Sequence, residues 1–140
     1  MSLERRELLR WGAIGAGLAL GGVPQAAFAG VLSQVGERYG LFYFFAASCK
    51  ACDTQSPIVA RLRDEGLPVM AVSEDGGISA YFPKYVVDTG QRERMGISGK
   101  ETPTMALFDT VTRRSAVLGT GVIAHSTLRN AILRLAEGGF

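Results

Sequence analysis

Two cysteines three positions apart, in the run Cys49-Lys50-Ala51-Cys52, are the residues of this chain best placed to do chemistry, and the chain has no others. A fold stapled by disulfides needs more cysteines, set farther apart. Closing so short a loop also removes little chain entropy, so a purely structural bridge explains the pair poorly. Redox chemistry and metal binding remain. Zinc wants four ligands, and there is no second CxxC. His125 is the single histidine, which leaves a copper set of Cys49, Cys52 and His125 open. The redox reading asks only that the pair open a helix. The first sulfur then faces free backbone N–H groups and the positive end of the helix dipole, and both favour thiolate over thiol. Lys50 adds a positive charge beside it. In that arrangement Cys49 is the attacking thiolate, and Cys52 is the resolving thiol that closes the ring and releases the substrate.

The flanking residues supply that arrangement. Leu41 to Ala46 is a short apolar run rich in aromatics, the pattern of a strand buried on both faces. Ser48 is placed to cap a helix starting near Cys49 and running to about Asp64, with Ile58, Val59 and Leu62 inward and Gly66 as its stop. Before the strand, Gly30 to Tyr39 predicts a helix ended by Gly40. Beyond the central helix, Leu67 to Ser73 predicts a second strand. Residues 74 to 90 read as a long loop punctuated by Gly76-Gly77, Pro83 and Gly90. Within it, Tyr81, Phe82 and Pro83 suit either contact with an unfolded client or pinning of the loop to the core. Asp88 or Thr89 caps a short polar helix through Met95, with Arg92, Glu93 and Arg94 on a solvated face. Thr104 to Phe108 and Ser115 to Leu118 form a hairpin across the turn 110–114. A last helix opens at His125, where the histidine serves as surface or cap, and carries the stripe Leu128, Ile132, Leu133 and Leu135. The order implies an α/β fold: one mixed four-stranded sheet with helices on both faces.

The chain of 140 residues, 47% hydrophobic and 20% charged, suits one globular domain. A net charge of +2 gives no dense basic face, so nucleic acid is not an expected partner. The N-terminus reads as an address. Arg5-Arg6 and Arg10 precede a Gly/Ala/Leu run from Trp11 to Val23, then Pro24, then Ala27-Phe28-Ala29 as a cleavage site. The run is too short for a membrane span. The expectation is a twin-arginine-like signal over 1–29 and a domain over 30–140, exported to an oxidising compartment where disulfides persist. An uncleaved N-terminal anchor is the alternative.

The segment Leu41–Leu62 resembles the active-site segment of thioredoxins: an aromatic strand, CKAC, and Pro57 eight positions after Cys49, where those proteins carry a helix-kinking proline. Thr102-Pro103-Thr104 resembles their cis-proline segment, and Gly119 or Gly121 the glycine before their last helix. Val72-Ser73-Glu74-Asp75-Gly76-Gly77, Tyr81-Phe82-Pro83, Asp88-Thr89-Gly90 and Gly96-Ile97 are similar to the TraF/TrbB-type proteins of conjugative type IV secretion. The resemblance implies a thioredoxin-like fold and a periplasmic oxidase or isomerase of disulfides. It implies secreted cysteine-containing clients, pilus-assembly subunits among them, and a membrane redox partner. Cys49 and Cys52 would be catalytic, with Lys50, Thr102 and Pro103 in support, and no cofactor or metal. A non-catalytic scaffold or chaperone for pilus assembly is the alternative. One departure bears on mechanism. Where thioredoxins place a buried carboxylate six residues before the first cysteine, this chain has Tyr43, so the resolving thiol's proton must travel by water or another group.

Overall fold

The computed structural model describes residues 25–140. The export signal read over 1–29 therefore lies, apart from 25–29, outside the described residues. In chain order the elements are α1 (Gln25–Val35), β1 (Tyr39–Phe45), α2 (Lys50–Asp64), β2 (Val69–Ser73), β3 (Val86–Val87), α3 (Gln91–Arg94), β4 (Thr104–Asp109), β5 (Ser115–Thr120) and α4 (His125–Gly138).

The strands form one sheet in the order β3-β2-β1-β4-β5. β1, β2 and β3 are parallel, while β4 runs antiparallel to both β1 and β5. The mixed sheet agrees with the sequence; its strand number is five rather than four. The extra strand is only Val86 and Val87, paired to Val72 and Ser73, too short to show a period of two. A second correction concerns the first helix. It ends at Val35, and Tyr39 and Gly40, expected as its last turn and its stop, open β1 instead. There Gly40 sits opposite Phe108 of β4.

β1 is the middle strand, and its alternation explains the layers. Leu41, Tyr43 and Phe45 face one side and pack with Leu62, Met105, Leu107 and Ile132, beneath α1, α2 and α4. Phe42 and Phe44 face the other side, where Val72, Ala106 and Ile97 complete a smaller cluster beside α3. Burying each such side chain contributes about 1.5–3 kcal/mol. The chain thus places its helices on both faces. α2 ends at Asp64 and the chain turns away at Gly66, whose φ of 109° favours glycine and whose missing Cβ leaves room for Ser33 of α1, 2.8 Å from where that atom would be. Among the described residues no helix is long and apolar enough to cross a membrane.

Candidate active site

β1 ends at Phe45 and α2 begins at Lys50, so the cysteine pair lies at the strand-to-helix junction. Cys49, not Ser48, is the N-cap. Its backbone is extended (φ −88°, ψ 111°), and its Sγ accepts the Cys52 N–H at 3.2 Å. A cap accepts an N–H two or three residues on, and the sulfur fills that role here. Cys49 and Cys52 form a disulfide with their Cα atoms 5.2 Å apart. Cys49 is half-buried, whereas Cys52 is only 3% exposed. Lys50 is exposed at the first residue of α2. Pro57 lies inside the helix as expected.

The loop before the cysteines is held by a carboxylate that sequence reasoning did not single out for any role. Asp75 accepts the N–H groups of Ala47 (3.0 Å) and Ser48 (3.1 Å), the Ser48 hydroxyl, and the Gly77 N–H (2.9 Å). The N–H groups of Ala47, Gly77 and Ser48 keep its carboxyl well below the usual range. A Cβ on Gly77 would collide with the Ala47 side chain, so glycine lets the loop approach this closely. The local motif is an aspartate two residues before a glycine, a turn signal whose distant partners leave no mark in the sequence.

Behind the pair, Tyr43 takes the place of the expected carboxylate. Its hydroxyl lies 2.7 Å from Ser56 Oγ and within 3.5 Å of the Cys52 carbonyl. Burial pushes the hydroxyl up to about 12; the Ser56 hydrogen bond pulls the other way, and the Asp53 charge adds to the rise. Beside Cys52 a cleft of about 330 Å³ opens between α2 and the 74–85 loop, bordered by Ala47, Cys52, Asp53, Ser56, Ser79 and Tyr81. Phe82 is buried, with its ring 5.4 Å from that of Tyr43, while Tyr81 is exposed. Phe82 therefore pins the loop to the core and Tyr81 stays at the surface.

The Thr102–Pro103 bond is cis, Pro103 is buried and Thr102 half-buried. β4 begins at the next residue, and Thr104 pairs with Phe44 of β1, so this segment shares a sheet end with the cysteines. The Pro103 carbonyl accepts the Gly121 N–H at 2.8 Å, and the Ile123 N–H donates to buried Gln55 Oε1 of α2 at 2.7 Å. Arg92, expected on a solvated face, is instead 3% exposed. Its guanidinium lies over the Phe44 ring and donates to the Glu101 carbonyl (2.9 Å) and Thr104 Oγ1 (3.2 Å). Glu74 faces it at 3.6 Å. Burial and a hydrogen bond with Asp88 raise the Glu74 carboxyl. Burial works against the charge of Asp88, but the Gly90 N–H and Glu74 outweigh it and lower its carboxyl. Among the described residues no group of three or more His, Cys, Asp or Glu converges on a metal position. His125 is turned to Glu65, with Nε2 2.6 Å from Oε1, rather than set with the cysteines as a copper ligand.

Solved structures with the same architecture are thioredoxin-like. They include the exposed lipoprotein thioredoxin Etrx1 of Streptococcus pneumoniae (TM-score 0.57, 18% identity, 74% of this chain and 90% of that one). A putative thioredoxin of Neisseria meningitidis matches with TM-score 0.55 and 13% identity over 75% of this chain and 79% of that one. A thiol:disulfide interchange protein of Bacteroides sp. matches with TM-score 0.50 and 19% identity over 84% of this chain and 80% of that one. At these identities they show the fold, which is thioredoxin-like as the CKAC and Pro103 segments imply. No curated protein matches the sequence. The family profile described as F plasmid transfer operon protein matches residues 21–133, and with its cysteine pair on a thioredoxin-like frame the chain belongs to the TraF family.

Proposed function

We propose that this protein exchanges disulfides with cysteine-containing proteins exported to the periplasm, as an oxidase or isomerase serving conjugative pilus or type IV secretion assembly. The observation that carries the reading is the asymmetry of the pair. Cys49 is half-buried with its sulfur on the Cys52 N–H at the head of α2, while Cys52 is buried. A client thiolate attacks Cys49 Sγ, the Cys49–Cys52 bond breaks, and Cys52 leaves as a thiolate that takes up a proton. A second client thiolate then attacks its own sulfur of the mixed disulfide. The client gains a disulfide and Cys49 departs as a thiolate stabilised by the helix start. A membrane redox partner takes the two electrons from the resulting dithiol. Surroundings that favour thiolate make the reduced form favourable and the protein oxidising. The Arg5-Arg6 signal supports export, and family membership supports pilus-assembly clients.

Oxidation of a reduced, unfolded client by the purified oxidised protein tests this. Wild type should regenerate the client's native disulfides, and Cys49→Ser should reduce the rate to the uncatalysed level. Undiminished oxidation by Cys49→Ser would overturn the proposal. Given a client that already carries disulfides, Cys52→Ser should accumulate a mixed disulfide, because the Cys49 thiolate attacks a client disulfide, one client thiolate leaves, and no resolving thiol follows; the covalent adduct is visible on a non-reducing gel.

A further inference from the structure

When the reduced protein reacts with a disulfide, Cys49 forms a mixed disulfide and Cys52 must lose its proton before it can attack. The usual neighbour for that task is missing. Tyr43 stands in its place, and a hydroxyl pushed up to about 12 stays protonated across the neutral range. It and Ser56 hold each other at 2.7 Å and offer no basic site. Cys52 is 3% exposed but borders the 330 Å³ cleft, whose other residues include a single carboxylate, Asp53. The volume has room for several waters at about 30 Å³ each. Pro57, inside the same helix, has no N–H to give to the Asp53 carbonyl four residues earlier.

We propose that Asp53 accepts the Cys52 proton through water held in this cleft, in place of a buried carboxylate. The proposal rests on the disulfide-exchange reading above. In the step, the Cys52 S–H proton passes to water and that water's proton to the Asp53 carboxylate. Cys52 then attacks Cys49 Sγ, the mixed disulfide breaks, and the other thiol leaves as thiolate. No oxidant enters. The other charged or titratable groups around the cleft are Lys50 at the start of α2, Tyr43 of β1, and Asp75 and Tyr81 of the 74–85 loop. Arg63 donates to the Tyr81 carbonyl at 2.6 Å. Asp75 is engaged by four donors around Ala47, Ser48 and Gly77, leaving Asp53 as the cleft's own acceptor.

Reduced full-length protein mixed with dithiobis(nitrobenzoate) separates the steps. The first coloured thiolate released reports attack by Cys49, and the second reports resolution by Cys52. That leaving group needs no proton, so the second phase isolates the Cys52 proton. Asp53→Asn should slow the second release at neutral pH by about 100-fold, the low end of general-base effects. It should leave the first release equal or faster, with the gap in the second closing as pH rises. Asp53→Glu should keep most of the rate. A role through charge alone predicts the opposite sign, since removing a negative charge favours both thiolates and speeds both phases. A second release as fast as wild type, or faster, in folded Asp53→Asn would overturn the proposal. Should Asn fail to fold, the same comparison is made with Asp53→Ser, which an exposed position tolerates. Absence of a second release in wild type would instead defeat the exchange reading itself.

Discussion

At the scale of single residues, the least expected finding is how much of the site hangs on Asp75. Its carboxylate gathers the backbone just before Cys49, so the sulfur's position at the helix start depends on a side chain far along the chain. Because its carboxyl is lowered on folding, the stability it contributes is full above the unfolded value of about 4 and is lost as pH falls through the folded one. Asp75→Asn keeps one acceptor oxygen and loses the charge. It should lower the urea midpoint at pH 7 with little change in slope. The gap to wild type should narrow as the pH drops below about 4, and a gap that persists in acid would refute the charge as the cause. The cysteines, Pro57 and Pro103 were legible because their residue types fix a spacing or a backbone geometry. Asp75 was not, since its partners lie 27 and 28 positions away. Nor was the cap: Ser48 has the better capping chemistry, yet the chain turns one residue later and a sulfur takes the role.

Elements were legible in proportion to their length and periodicity. The aromatic strand, the central helix and the last helix appear where the apolar spacing put them, with ends shifted by a residue or two. The four-residue α3 lies where expected, but its N-cap is Gly90 rather than Asp88 or Thr89, and of its charged residues Glu93 and Arg94 are exposed as expected while Arg92 is buried. Three charged residues in a row look solvated, and one turn of helix is too short to carry a stripe. What turns Arg92 inward is the open face of Phe44 and the carbonyl of Glu101, both supplied by other parts of the chain. The buried guanidinium joins α3 to both flanks of the site, Glu74 after β2 and the Glu101–Thr104 segment around Pro103. Arg92→Ala would leave the half-buried Glu74 without its cation and should cost up to about 3 kcal/mol, measured by denaturant unfolding. Arg92→Lys should recover little, because an ammonium cannot stack on the ring and reach both acceptors as a planar guanidinium does. Full recovery by lysine would show that charge alone matters.

Across the whole molecule, an ion pair with a buried carboxylate lies at the end of the sheet opposite the chemistry. Tyr39 and Asp109 pair at the end of the β1–β4 ladder away from the cysteines. There Asp109, 2% exposed, binds Arg38 through both oxygens at 3.0 and 2.8 Å and accepts the Val111 N–H. Arg38, helped by the Val111 and Thr112 N–H groups, holds the Asp109 carboxyl below the usual range. Asp109→Asn should therefore lower the melting temperature at pH 7 by several degrees. Both thiolate-release phases should stay at wild-type rates, measured on the same sample below the transition. A parallel loss of rate would mean that the ends are coupled. The central position of β1 and β4 has a further result. Both strands are hydrogen-bonded on each side and nearly all buried, so their amides give up their hydrogens to solvent only when the entire domain opens. The 74–85 loop is largely exposed and tied by side chains rather than by a ladder. It can breathe many times for each global opening. Hydrogen exchange should therefore run far faster in that loop, beside the cysteines, than in the two central strands beneath them.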